Sequence, residues 1–321
     1  MKIVVENVNF QSTDGINCVS GVIYKPDTPD HIKGIVQIIH GMAEHIGRYD
    51  DFARFLCANS YIACGCDHIG HGKSVKSADD YGYFGHINGC STMMDDARKF
   101  GNIVRAQYPH PPFFILGHSM GSFVLRKYIT KYCGDIAGVI ISGTGGPNPL
   151  AKIGINLAVM DVRKNGDRHR SKFLDNMAFG NYNKLIKHPK TKFDWLTRDT
   201  EIVDKYVHDD ACGYIFTSSA FADMLRIMYD VNTDSWYTKV PKTLPILMIS
   251  GTKDPVGDYG KGVKLVYKKL QDSGLQQIKL ILYGDGRHEM LNELNRDEVY
   301  DDLVSWMDEK ILEEKQCRSG E

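Results

Sequence analysis

No stretch of the chain approaches the roughly 20 consecutive apolar residues that cross a bilayer, so a membrane-spanning helix is not expected. Neither charge sign is in excess. The 39 Lys and Arg stand against 40 Asp and Glu, a formal net charge of −1, without the basic surplus of a nucleic-acid binder. No internal repeat or low-complexity tract is visible, which excludes solenoids and disordered linkers. The opening Met1-Lys2-Ile3-Val4-Val5-Glu6-Asn7 reaches an acid and an amide after three apolar positions, so no secretory leader is expected. Cysteine is sparse: 8 in 321 residues do not make a disulfide scaffold. Cys64 and Cys66 lie two apart in an apolar stretch and share one face of a strand. No second Cys or His pair at ligand spacing accompanies them, so they read as buried thiols in a reducing cytoplasm.

What is present fits an ordinary globular protein, 42 % apolar and 25 % charged. Strand-like runs at Ile3–Phe10, Cys18–Lys25, Gly34–His40, Tyr61–Asp67, Phe113–Gly117 and Ala137–Ser142 punctuate the first half. Asp14-Gly15 predicts a hairpin turn between the first two. Helix-period stretches at Arg48–Ser60, Thr92–Tyr108 and Met120–Tyr132 separate later runs, which predicts an α/β fold with a parallel sheet and crossover helices. The alternation resumes with strand Ile246–Gly251, helix Lys261–Gln271, strand Ile278–Tyr283 and helix Arg296–Glu313. Between them, residues 148–235 read as helices with a basic loop, Arg163–Lys172. We therefore expect a core of residues 1–147 and 236–321 and a helical cap, 148–235, inserted after the sixth strand.

Gly117-His118-Ser119-Met120-Gly121 is the only G-x-S-x-G match in the chain. The buried run Phe113–Leu116 leads into it and an amphipathic helix leads out, so Ser119 occupies a sharp strand-to-helix turn at a helix head. A serine hydroxyl needs a base to remove its proton, and that base needs an acid to orient it. In this architecture the chain order is Ser, acid, His. Of the four histidines after Ser119, three fall in the cap; His288, in the loop Gly284–His288 after a strand, is the expected base. Asp254, at the tip of Ile246–Gly251, is the expected acid, with Asp258 and Asp285 as alternatives. Met120 N–H and Met42 N–H, the latter in the loop after the third strand, are the expected oxyanion donors. His40 and His118 are expected to brace loops, and Asp67–Ser74 to form a packed turn rather than a metal or phosphate loop.

His40–His45 with Arg48-Tyr49, Asp67–Ser74, Gly117–Gly121, Ser250–Asp254 and Arg287–Glu289 resemble the α/β-hydrolase superfamily. More narrowly, they are similar to its monoacylglycerol lipase and lysophospholipase group, some members of which are labelled serine aminopeptidases. The resemblance spans nearly all of residues 10–312. It implies an eight-stranded, mostly parallel sheet with the second strand antiparallel, and ester hydrolysis without a cofactor or metal. It also implies that Glu44, His45 and Arg48 support the oxyanion loop.

These readings predict a serine hydrolase that cleaves mono-acyl lipids or other small acyl esters through an acyl-enzyme. Phe179, Phe216 and Phe221 are the expected substrate contacts, beside Phe173, Trp195 and Met224; the same side chains could instead form a small core of the cap. The run Arg163–Lys172 could meet an anionic head group or be a solvated loop. A proline-iminopeptidase-like aminopeptidase is the alternative, with Glu201, Asp204, Asp209 and Asp210 available for an α-amine. No nucleic-acid partner is expected; transient membrane contact through an apolar cap face is allowed, and the oligomeric state is left open.

Overall fold

The computed structural model describes residues 2–27, 32–85 and 88–319. Strands β1 (Ile3–Gln11) and β2 (Cys18–Pro26) form the predicted hairpin. At its turn Asp14 Oδ1 accepts from Ile16 N (2.7 Å) and Asn17 N (2.9 Å), and Gly15 takes φ +73°. There follow β3 (Gly34–Ile39), α1 (Asp50–Ala58), β4 (Tyr61–Cys66), α2 (Gly89–Gln107), β5 (Phe113–His118), α3 (Met120–Tyr128) and β6 (Gly138–Ser142). Helix α3 ends four residues before its apolar periodicity does. Its last carbonyls are taken by the short bonds Thr130 Oγ1 to Lys127 O (2.8 Å) and Lys131 N to Tyr128 O (2.9 Å), which close the helix.

Five helices and, among the described residues, no strand separate β6 from the next strand: α4 (Ala151–Asn165), α5 (Lys172–Phe179), α6 (Thr200–Val207), α7 (Ser218–Asp230) and α8 (Asp234–Lys239). The chain then completes β7 (Ile246–Gly251), α9 (Lys261–Asp272), β8 (Ile278–Tyr283) and α10 (Arg296–Ser319). The eight strands run β1-β2-β4-β3-β5-β6-β7-β8, with β2 antiparallel to both neighbours and β3 to β8 parallel. This is the α/β-hydrolase architecture.

Strands β3 to β7 are buried along their whole length, as expected of parallel strands covered on both faces. Val36, Leu116, Ile140 and Leu247 point toward α1 and α10, whereas Ile35, Ile115, Ile141 and Met248 point toward α2, α3 and α9. The period of two along each strand thus builds two core layers from one run of apolar residues. The inserted helices do not stand apart. Phe221 and Ile227 of α7, with Phe216 just before it, join the layer of α2 and α3. A small separate cluster holds Trp195, Leu196, Tyr206 and Cys212. Register pairs Ile39 with Gly117, His118 with Ser142, and Gly251 with Tyr283. The carboxyl ends of β3, β5, β6, β7 and β8 therefore open on one edge of the sheet, where ligands bind in such folds.

Candidate active site

Ser119 links β5 to α3 with φ +53° and ψ −119°, a backbone region that costs a non-glycine residue on the order of 1–3 kcal/mol. Neighbouring contacts hold it there. Ser119 N donates to Ser142 O (3.0 Å), while Ser119 O accepts from Ser122 N (2.9 Å) and Ser122 Oγ (2.6 Å). The flanking glycines are required by close approach: a Cβ on Gly117 would stand 2.6 Å from Gly121 O, and one on Gly121 would strike the carbonyls of Ile39 and His40. Met120 is the first residue of α3, so its N–H has no acceptor within the helix and lies beside the Ser119 side chain at the positive end of the helix dipole.

His288 and Asp254 meet from two loops. His288 Nδ1 lies 3.0 Å from Asp254 Oδ1, both side chains essentially fully buried. The carboxylate also accepts from Val256 N (2.9 Å) and Ser250 Oγ (3.4 Å), which fixes its plane. Asp258 and Asp285, the alternative acids, are exposed. Burial works against the charged imidazole, but Asp254, Glu289 and Glu44 outweigh it and move the His288 pKa above its ordinary 6.5. The other ring nitrogen, Nε2, is buried without a hydrogen-bond partner among the described residues. That nitrogen is available to take a proton. The Trp195 ring packs 4.9 Å and the His118 ring 4.7 Å from the His288 ring, centroid to centroid. Gly143, at φ +59°, leaves the room: a Cβ there would lie 3.0 Å from each imidazole.

The loop after β3 passes against Ser119, since a Cβ on Gly41 would come within 3.1 Å of Ser119 Cβ. Glu44 organises this loop, accepting from Gly41 N, Tyr49 OH (2.9 Å) and Arg48 Nη1 (2.6 Å). Arg48 also grips Glu289 with both Nη atoms, at 2.6 and 2.7 Å. One guanidinium therefore ties the Met42 loop to the His288 loop. Burial pushes against ionised Glu289, yet the Arg48 charge and hydrogen bonds hold its carboxyl down at about 2. The resemblance implied a supporting role for Glu44 and Arg48, whereas Glu289 was named only within the motif around His288, without a role. His40 and His118 brace as expected. His40 Nε2 accepts from His68 N (3.0 Å) and its Nδ1 reaches Gly41 O (2.9 Å), while His118 Nδ1 reaches Ser142 Oγ (3.2 Å). Burial holds both rings well below the ordinary histidine pKa, hence neutral. Asp67 completes the packed turn, accepting from Ile46 N and Lys73 N at 2.8 Å each.

A cavity of about 510 Å³ opens over Ser119, Met42, Met120 and His288. Its apolar wall comes from Leu174, Phe179, Phe221, Met224 and Leu225. Phe216 is not part of that wall. Wholly buried, it packs at 4.7 Å on Phe84 and 5.4 Å on His71, so this expected substrate contact is a core residue. Phe173 is likewise outside the cavity and exposed. None of Glu201, Asp204, Asp209 and Asp210 lines it either. Arg168 pairs with Asp80 (2.9 Å) and lies 3.9 Å over the Tyr83 ring, and Arg170 bonds the Ile215 carbonyl, which commits both to structure.

His45, Asp209 and Cys212 offer three donor atoms within 4.8 Å of one another. Their hydrogen bonding does not suit a cation. His45 Nδ1 accepts from Gly47 N (3.2 Å), which places the ring proton on Nε2, and Asp209 Oδ2 takes that proton's bond at 2.8 Å. Burial raises the Cys212 thiol above its ordinary pKa, and it hydrogen-bonds the Asp209 carboxylate.

With this geometry in hand, residues 30–295 match the model of the family described as serine aminopeptidase, S33. The chain belongs to this S33 serine aminopeptidase family. It is 28 % identical over 302 residues to a monoacylglycerol lipase of Mycolicibacterium smegmatis, covering 93 % of this chain and 95 % of that one. It is 26 % identical over 285 residues to the monoglyceride lipase of Homo sapiens, covering 87 % and 83 %. A thermostable carboxyl esterase from Bacillus coagulans, solved with glycerol, superposes with a TM-score of 0.89 at 30 % identity, covering 96 % and 99 %. Within this S33 family, the chain's relatives indicate an ester hydrolase rather than a peptidase.

Proposed function

We propose that this chain hydrolyses carboxylic esters of lipid-like acyl groups, monoacylglycerols or similar small mono-acyl esters, by a two-step serine mechanism. His288 Nε2 takes the proton of Ser119 Oγ as the oxygen attacks the ester carbonyl. The N–H groups of Met42 and Met120 hold the oxyanion, and Asp254 stabilises the imidazolium. His288 then gives the proton to the leaving alcohol, the acyl-enzyme forms, and a water deprotonated by His288 releases the acid. The observation that carries this reading is the buried His288–Asp254 pair with its free Nε2 at the same cavity mouth as Ser119. The apolar wall supports a hydrocarbon acyl group.

The aminopeptidase alternative is not favoured, because the acids it called on lie away from the cavity. A cytoplasmic setting belongs to the proposal, supported by the free buried thiols of Cys57, Cys64, Cys66 and Cys90. Transient contact with a lipid surface belongs to it too, supported by exposed Leu150 at the N-cap of α4 and Ile153 and Met160 along it. No helix among the described residues is long and apolar enough to cross a membrane.

A panel of 1-monoacylglycerols, p-nitrophenyl esters of graded chain length and aminoacyl naphthylamides tests substrate class. Turnover of the glycerides and esters with no release of naphthylamine is the expected result. Preferential naphthylamide cleavage would refute it.

A further inference from the structure

The first half of the oxyanion loop is held by Glu44, which accepts from Gly41 N. The second half is held from outside the core. Ala43 has φ +50°, the left-handed region that an alanine visits rarely. Its carbonyl accepts two hydrogen bonds from the inserted segment, from Tyr206 OH of α6 at 2.9 Å and from Gly213 N in the loop after α6 at 3.0 Å. Met42 lies between these two pins. Tyr206 is buried, and its ring carries the Arg48 guanidinium 4.7 Å above it, the same group that bridges Glu44 and Glu289. Gly213 is shaped for its donor role: at φ +66° it is already in the glycine region, and a Cβ there would meet the Phe193 ring at 2.8 Å.

We propose that Tyr206 is a positioning residue for the reaction, holding Ala43 in its unfavourable conformation through one hydroxyl so that the Met42 N–H keeps its aim at the oxyanion. The inference rests on Met42 serving as an oxyanion donor in the mechanism above. Two bonds to one carbonyl offset the local strain of Ala43, and removing the stronger donor lets the loop relax toward ordinary backbone angles. Tyr206 lines the cavity beside Met42 and Ala43, but the acyl wall of Leu174, Phe179, Phe221, Met224 and Leu225 is untouched, so a relaxed loop still admits substrate. It loses its bond to charge that develops only in the transition state, so kcat falls and KM does not.

Tyr206→Phe tests this, because it keeps the ring and the Arg48 contact and deletes only the hydroxyl. With p-nitrophenyl butyrate, kcat is expected to fall about tenfold with KM within about twofold, the effect of one transition-state hydrogen bond. Affinity for butylboronic acid, a tetrahedral adduct former, should fall by the same factor as kcat. Tyr61→Phe is the control. It also deletes a phenol bond, Tyr61 OH to Asp308 at 2.6 Å, but on the far side of the sheet, and should leave kcat and boronate affinity alone. Unchanged kcat and boronate affinity in Tyr206→Phe, with the wild type labelled at Ser119 by a fluorophosphonate, overturns the inference alone. A loss carried by KM, or one matched by Tyr61→Phe, overturns it equally. Failure of the fluorophosphonate to label wild-type Ser119 overturns the mechanism and the inference together.

Discussion

His288 reaches Asp254 across 3.0 Å through Nδ1 and, among the described residues, keeps Nε2 unengaged on the opposite side of the ring. That relationship sets both tautomer and basicity. An acceptor at Nδ1 puts the neutral ring's proton there and leaves the Nε2 lone pair for a hydroxyl. Asp254→Asn removes the charge and allows the other tautomer, and kcat should drop on the order of 10⁴-fold.

The same pair predicts a pH profile. As the proposed base, His288 works only when neutral, and its pKa lies above 6.5, so kcat/KM should rise with pH through a midpoint higher than an ordinary histidine's. Removing the Asp254 charge leaves burial dominant, and in Asp254→Asn the midpoint of the residual activity should move to lower pH. Stability has the opposite sign. The raised pKa contributes stability at low pH that is lost as pH climbs through the folded value, and thermal melts across that range will show it.

Arg48 is the second point of vulnerability. It is shared between Glu44 and Glu289, so Arg48→Met strands two buried carboxyls and should cost about 3–5 kcal/mol by urea denaturation. Arg48→Lys keeps the charge but not the two-pronged geometry, and should recover part of the stability while leaving kcat depressed. Glu289 adds an acid limb: its carboxyl is held at about 2 against an ordinary 4.5, so stability it contributes above pH 4.5 should fade as pH falls toward 2.

Phe216 and Ala178 separate core from cavity. Phe216→Ala should destabilise by about 3–5 kcal/mol with no change in chain-length preference, measured as the ratio of kcat/KM for butyrate and decanoate esters. Ala178→Phe adds bulk to the cavity wall and should cut decanoate turnover at least tenfold while sparing acetate. The reverse pattern would move Phe216 back into the substrate site.

Much of this arrangement was legible in the chain. The strands at Ile246–Gly251 and Ile278–Tyr283 have the limits their apolar runs predict, and Ser119, Asp254 and His288 each follow a strand because strand ends are marked by glycine and polar residues. The helices between β6 and β7 were read less well. An aromatic at a helix N-terminus, such as Phe216 before α7, has the same periodicity whether it faces the core or a ligand. The role of Glu289, and Tyr206 altogether, were missed because their partners, Arg48 and Ala43, are distant in sequence, and pairing across 241 and 163 residues leaves no local spacing to detect.

The central claim is that Ser119 is the nucleophile. Incubating wild type and Ser119→Ala with a fluorophosphonate, then following intact mass beside p-nitrophenyl butyrate turnover, tests it most directly. The account predicts one adduct on the wild type, on the peptide that carries Ser119, and neither adduct nor turnover above background in the variant. An adduct and full turnover in Ser119→Ala would contradict it.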